Sequence, residues 1–322
     1  MKHLTRRDFL KIGGILAAGA GLAPRYAEAF TAGLEKLSKG LPRVIWLQGQ
    51  SCSGCSVSLL NADNPYILEV VTDMISMVFH QTISAATGEV AMKVIDDMEA
   101  GQEPFILVVE GAIPLLMPEA CVIGGRRFED ILKPLIRKAQ FVVGVGTCAT
   151  YGGIPAAEGN PTGAASVKEF MDKNSFPTDR KLVNVPSCPA HPDSIVGTLA
   201  FLAGRGYPPV NASLLTPDMF FAHSTHDDCP RYHYYNKHLF AKKFGDSEGC
   251  LFQLGCLGML SYTDCPRRQW NGGVNWCIRA AAPCIGCSHP QFGKNKAFPF
   301  YRLGEKNHAV EYNDSDRKGG EA

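Results

Sequence analysis

The chain has 322 residues, 45% of them apolar, and a formal net charge of +1. That length can bury a sizeable core and hold two domains, while the near balance of charge is not the footprint of a nucleic-acid-binding protein. The clustered cations lie at the start: Lys2, Arg6, Arg7, Lys11 and Arg25 fall within the first 29 residues.

Thr5-Arg6-Arg7-Asp8-Phe9-Leu10-Lys11 reads as a twin-arginine export motif. A weakly apolar Gly/Ala-rich stretch follows from Ile12 to Ala23, then an A-x-A cleavage site at Ala27-Glu28-Ala29. Residues 1–29 are therefore expected to be a signal peptide that sends the folded protein to the periplasm. The stretch is too short to span a bilayer, and nothing apolar follows Arg302, so no membrane anchor is expected in this chain.

Four short apolar runs come next: Val44-Ile45-Trp46-Leu47, Ile106 to Val109, Phe141 to Val145 and Leu182 to Val185. Continuous apolar character over so few residues suits strands buried on both faces. Helical patterns lie between them, as in Glu89 to Met98 and Phe128 to Lys138. The alternation predicts a doubly wound α/β domain with a parallel sheet, flavodoxin-like in outline, over residues 30–205. From about Gly206 the texture turns to Pro, Gly, Asn, Asp and aromatic residues. Residues 206–302 are expected to form a smaller irregular domain organised by metal–thiolate bonds, and 303–322 a polar tail.

Eleven of the twelve cysteines and one histidine sort into three sets of four. The first is Cys52-x-x-Cys55 with Cys148 and Cys188, three of whose positions directly follow predicted strands. Ligands in open α/β sheets sit outside the carboxyl ends of the strands. The second is His226-x-x-Cys229 with Cys250 and Cys256. The third is Cys265, Cys277 and Cys284-x-x-Cys287. Each set supplies the four ligands of a cubane cluster, so the chain reads as a relay of three [4Fe–4S] clusters. A thioredoxin-type CxxC would leave Cys148 and Cys188 unexplained, and the third set alone could also hold zinc. An imidazole replacing a thiolate makes the second cluster less negative, which should raise its potential. Cys121, in an apolar context, is expected to be a buried inert thiol. Gly144-Val145-Gly146-Thr147-Cys148-Ala149 fits a loose dinucleotide fingerprint, but Tyr151-Gly152-Gly153-Ile154-Pro155 follows where that motif needs a helix. No catalytic triad, HExxH or P-loop is present, so the relay must serve a partner that performs the chemistry.

These motifs resemble the small subunit of periplasmic nickel–iron hydrogenases over roughly residues 43 to 302. The stretches that carry the resemblance are Trp46 to Cys55, Val109-Glu110-Gly111-Ala112-Ile113-Pro114, Gly146 to Pro155, Pro186-Ser187-Cys188-Pro189, His226 to Pro230, Leu254-Gly255-Cys256 and Cys284-Ile285-Gly286-Cys287. The resemblance implies that the first set holds the proximal cluster, the third the medial and the second the distal. It implies a nickel–iron centre in a separate large subunit. It also implies electron transfer between that centre and an external carrier such as a multihaem cytochrome c. Cys277 stands where the commoner pattern has proline and a [3Fe–4S] medial cluster, and Ser56-Val57-Ser58 stands where that pattern tends to be acidic. Both features are similar to the nickel–iron–selenium branch. The other readings are an iron–sulfur subunit of a non-hydrogenase respiratory oxidoreductase and a disulfide-stapled periplasmic binding protein.

Overall fold

A computed structural model describes residues 41–294. The expected signal peptide, the boundary at residue 30, residues 295–302 and the tail 303–322 lie outside the described residues.

Strands β1 (Arg43–Gln48), β2 (Ser76–His80), β3 (Phe105–Glu110), β4 (Phe141–Val145) and β5 (Leu182–Val185) form one sheet in the order β2-β1-β3-β4-β5. Every neighbouring pair is parallel, which is the flavodoxin-like order with its switch point between β1 and β3. Four of these strands are legible as apolar runs. The edge strand β2 is not, because Ser76 and His80 interrupt it and only Phe79 and His80 are buried.

Alternate side chains of the strands feed two cores. Val44, Trp46, Val108, Val143 and Val185 pack on one face. They meet Leu59 of α1 (Gly54–Leu60) and Ile195 and Leu199 of the helix Pro192–Arg205. Ile45, Leu47, Leu107, Val142 and Leu182 pack on the other face. That side is covered by α2 (Gly88–Ala100), α3 (Phe128–Lys138) and the later helix Val167–Lys173. Each fully buried aliphatic contributes about 1.5–3 kcal/mol by leaving water. Helix α3 shows why such segments are helical: Phe128, Ile131, Leu132, Leu135 and Ile136 fall on one buried face. Glu129 and Asp130 sit in its first turn and Arg137 and Lys138 in its last, as the helix dipole favours.

A short helix, α4 (Gly146–Tyr151), follows β4 directly. The sequence pattern argues against a helix there. It lasts six residues before Gly152, at φ +89°, ends it, so it is a cysteine-bearing turn and not the long helix of a dinucleotide fold. Then come α5 (Val167–Lys173) and α6 (Pro192–Arg205), the latter opened by proline at its start with His191 as cap.

Beyond α6 the elements shrink. Helices α7 (Tyr232–Asn236) and α8 (Cys265–Arg268) span five and four residues. A third, small core gathers Ala241, Leu251, Leu254, Trp276, Ile278 and Cys284, with Cys229, Cys256, Cys265 and Trp270 packed against it. Cysteines here fill positions that aliphatic residues fill in the sheet domain. No helix among the described residues is long and apolar enough to cross a membrane.

Candidate functional site

The first cysteine set assembles at the carboxyl edge of the sheet. Strand β1 leads to Cys52 and to Cys55 in the first turn of α1, β4 leads to Cys148 in α4, and β5 leads to Cys188. Gly146, at φ +82°, lies so close to Cys55 that any Cβ would collide with its sulfur. At Gly153, φ +53°, a Cβ would come within 2.9 Å of the Cys148 backbone. Both positions demand glycine. The Cys55 thiol is raised well above its usual range by burial first, then by Glu110, with Cys188 and Cys148 adding to it. Burial pushes Cys148 up to about 11, with Cys52 contributing. Cys188 is pushed up to about 12 by burial, then by Cys148, Cys287 and Cys52. Cys55, Cys148 and Cys188, buried thiols that resist ionisation and sense one another's charge, suit a cationic metal core, whose charge reverses that penalty.

Beneath this set lies a buried polar anchor that the sequence motifs do not single out. Glu110, the last residue of β3, is 1% exposed. Its Oε1 accepts from the Cys55 backbone N–H and from Ser51 Oγ, both at 3.0 Å. Its Oε2 accepts from Trp46 Nε1 at 2.9 Å, from Gln48 Nε2 at 3.3 Å and from Ser56 Oγ. His80 Nδ1 accepts from the backbone N–H of Thr82 at 3.0 Å, which leaves Nε2 to donate to Ser56 Oγ at 3.1 Å. Burial lowers the His80 pKa to about 4, against the opposing pull of Glu110, so the ring is neutral. The signal for this network is a carboxylate closing an otherwise apolar strand, Phe105 to Glu110.

In the third set, Cys265, Cys277, Cys284 and Cys287 come together through Cys287. Burial pushes Cys265 up to about 12, with Cys287 next. Cys284 is raised well above its usual range by burial, then by Cys256, Cys287 and Cys265. Cys287 is raised by burial, with Cys277 also raising it. Cys277 is the exposed member. In the second set, His226, Cys229, Cys250 and Cys256 line one cavity together with Gly258 and Ile278. His223, three positions before His226, is not among the residues that line it. Burial lowers the His226 pKa, opposed by Asp227, and pushes Cys256 up to about 11. Two pairs cross between the sets: Cys188 senses Cys287, and Cys284 senses Cys256 ahead of the members of its own set.

The sheet domain and the cysteine-rich segment are braced beside these sets. His191 Nε2 meets the Gln269 carbonyl at 2.7 Å, and its ring lies 4.6 Å from that of Trp270, whose side chain hydrogen-bonds the Cys265 sulfur. Arg268, almost wholly buried, pairs with Asp193 at 2.6 Å and Asp264 at 2.7 Å. A cleft of about 620 Å³ opens alongside, lined by Gly54, Val57, Pro189, Arg267 and Trp270 among others.

Two family models match. The one for the C-terminal part of the NiFe/NiFeSe hydrogenase small subunit spans residues 221–301, and that for the 20 Kd subunit of NADH ubiquinone oxidoreductase spans residues 52–202. The periplasmic [NiFeSe] hydrogenase small subunit of Desulfomicrobium baculatum is 41% identical over 92% of this chain and 98% of its own length. The chain belongs to the nickel–iron and nickel–iron–selenium hydrogenase small subunits. The periplasmic [NiFe] hydrogenase small subunit 1 of Nitratidesulfovibrio vulgaris is 36% identical over 93% of this chain and 94% of its own. A crystal structure of the Ni-Fe-Se hydrogenase from Desulfomicrobium baculatum superposes with a TM-score of 0.76 at 41% identity, covering 81% of this chain and 99% of that one. An actinobacterial-type NiFe-hydrogenase from Ralstonia eutropha gives 0.73 at 30% identity, covering 86% and 88%.

As a hydrogenase small subunit the chain is one component of an oxidoreductase, and the match to the ubiquinone oxidoreductase subunit covers the sheet domain apart from β1 and the end of α6. A single zinc ion needs its donors about 2.3 Å from one point. Among the described residues no three His, Cys, Asp or Glu side chains gather that tightly. Sets of thiols with a single imidazole have the donor chemistry that iron–sulfur cores take. Cys121 stands apart from all three sets. It is half-buried against the second sheet core, and burial pushes it up to about 11, which leaves it an inert thiol.

Proposed function

We propose that the chain is the electron-transfer subunit of a periplasmic hydrogenase heterodimer and carries three [4Fe–4S] clusters. Cys52, Cys55, Cys148 and Cys188 would hold the proximal cluster. Cys265, Cys277, Cys284 and Cys287 would hold the medial cluster, and His226, Cys229, Cys250 and Cys256 the distal one. Bound there, the clusters would supply one-electron centres between the large subunit's nickel–iron or nickel–iron–selenium site and an external carrier such as a multihaem cytochrome c. The observation that carries this reading is that each thiol in the succession Cys55, Cys188, Cys287, Cys284 and Cys256 senses the charge of the next.

The residues of the chain divide the remaining work. Glu110 fixes the Cys52–Cys55 loop through the Cys55 amide. The glycines at 146 and 153 keep the space beside Cys55 and Cys148 free of side chains. The His191–Trp270 and Arg268–Asp193 contacts hold the medial ligands against the sheet domain. Val57 and Leu60 lie exposed on the helix that carries Cys55, and Tyr66, Leu68, Leu116 and Met117 are also exposed. Apolar exposure on this scale marks a protein interface, and the large subunit is its proposed occupant, docking over the first set.

Anaerobic iron and acid-labile sulfide counting on the purified heterodimer tests the cluster number. About twelve irons per small subunit are expected; four or eight would sink the three-cluster relay, and none would favour the disulfide-stapled binding protein. Arg6→Lys with Arg7→Lys should strand the folded heterodimer in the cytoplasm, because paired arginines are a receptor-read address. Normal periplasmic accumulation of that variant would refute the export reading.

A further inference from the structure

The sulfurs of the third set carry side-chain hydrogen-bond donors. Thr263 is buried, and its Oγ1 lies 3.4 Å from the Cys265 sulfur. Its backbone N–H donates to the His223 carbonyl at 3.2 Å, which fixes the residue where its hydroxyl meets that sulfur. A threonine beside the start of a helix ordinarily turns its oxygen to a backbone N–H of the first turn. Here α8 begins at Cys265, its N-cap Asp264 makes no side-chain cap bond, and the threonine hydroxyl goes to sulfur instead.

The same sulfur receives the side chain of Trp270. That indole is held by the His191 ring, 4.6 Å away, and by its own backbone N–H, which donates to the Asn275 carbonyl at 2.7 Å. The Cys287 sulfur receives the side chain of Ser187 together with the backbone N–H of Cys188. Thiols of the other two sets are served by backbone N–H groups: Ala190 for Cys55, Arg231 for Cys229 at 3.4 Å and Gly258 for Cys256.

An indole N–H can only donate. A cysteine bound to iron has no proton of its own, so a hydroxyl facing it donates as well. Such bonds strengthen as negative charge grows on the acceptor. An electron added to a cluster is shared with its thiolates, so donors on those sulfurs favour the reduced form and raise the potential. The third set has most need of this, because four thiolates in a buried site oppose the extra electron more than three thiolates and an imidazole do. We propose that Thr263, acting through Cys265 with Trp270 beside it, sets the potential of the third-set cluster by donating a hydrogen bond to the ligand sulfur. The inference rests on the reading of the third set as a cluster site. It adds the residues that tune that cluster.

Thr263→Val keeps the shape of the side chain and removes the donor, whereas Thr263→Ser keeps the donor. The test is a potentiometric titration of the intact heterodimer followed by EPR, with an iron count on each variant. In Thr263→Val one cluster reduction step should become roughly ten-fold less favourable, about 59 mV lower for one electron, and the other steps should stay in place. Thr263→Ser should keep the parental potentials. A threonine that only braces its loop would change the melting temperature and leave every potential where it was. Unshifted potentials in an iron-replete Thr263→Val, or an equal shift in Thr263→Ser, would overturn the proposal. If Thr263→Val loses iron, Trp270→Phe decides: it keeps a ring against His191, removes the N–H and should lower the same step, and a parental potential there would overturn the proposal too. About twelve irons in the parent with unmoved potentials in the variants would defeat the tuning inference alone, whereas about eight irons and a missing reduction step would remove the third cluster and the inference with it.

Discussion

The backbone N–H of Cys188 is directed at the sulfur of Cys287, so the first and third cysteine sets meet through a direct contact. Thr147 latches the same junction: its hydroxyl donates to the Cys287 carbonyl and accepts from the Ser187 backbone N–H at 3.0 Å. The residue preceding Cys148 thus fastens the loop before Cys188 to the strand-free segment that ends the third set.

Thr147→Val keeps the shape of the side chain and removes both hydrogen bonds. With the hydroxyl buried, the loss should cost about 1–3 kcal/mol. It should appear as a lower melting temperature of the heterodimer, with earlier exchange of the amides around Ser187 and Cys287. An unchanged melting temperature would show that the junction is held by packing alone.

Glu110→Gln tests the anchor under the first set. Whichever oxygen the amide replaces, its NH2 group then faces a fixed donor, either the Cys55 N–H or the Trp46 Nε1–H. Losing a charge-assisted hydrogen bond and leaving a buried N–H without an acceptor should cost about 2–4 kcal/mol. Iron content should fall by up to about four per chain as the proximal site loosens, while the other two sets keep theirs. Full iron with parental stability would rule the anchoring role out.

Much of the fold, and the gathering of the first cysteine set at the sheet edge, is legible in the sequence because the physics is local. Val44–Leu47 and Phe141–Val145 are apolar throughout, which only a strand buried on both faces tolerates. The ligands follow such strands at short spacings, so their convergence can be read directly. The edge strand Ser76–His80 is illegible because His80 looks like a surface residue, yet it is fully buried for a partner 24 positions away, Ser56. Glu110 sits inside a recognisable motif but its role does not show there, since its five donors come from residues 46 to 56 and no periodicity links them. Helix α4 escapes for a related reason: the glycines after Tyr151 end it but do not prevent it.

His80 gives the stability a defined pH dependence. Its folded pKa of about 4 lies below the unfolded value of 6.5 because burial disfavours the imidazolium. A depressed folded pKa means that its stabilising contribution is whole above pH 6.5 and is lost as the pH falls toward 4, where the unfolded chain takes up the proton first. Between pH 7 and pH 5 this should cost about 2 kcal/mol. His80→Gln keeps a donor for Ser56 without the titration. Urea unfolding at the two pH values should therefore show a smaller difference for the variant than for the parent, and equal differences would assign the acid sensitivity elsewhere.

Cys277 is where the proposed composition of the medial cluster can be tested. It is the exposed member of its set and reaches the others through Cys287, whereas Cys265, Cys284 and Cys287 sense one another and Cys284 is buried. Three enclosed thiols and one peripheral thiol form a site from which one iron can be lost without dismantling the rest. Cys277→Pro should yield a [3Fe–4S] centre, one iron fewer than the parent cluster, with the higher potential of that cluster type. Its EPR signal should appear in the oxidised variant and be absent from the parent, while the proximal and distal signals stay unchanged because their ligands belong to other sets. A stoichiometric [3Fe–4S] signal already present in the anaerobically purified parent would show that Cys277 is not a ligand, and would remove the stronger of the chain's two features shared with the nickel–iron–selenium enzymes.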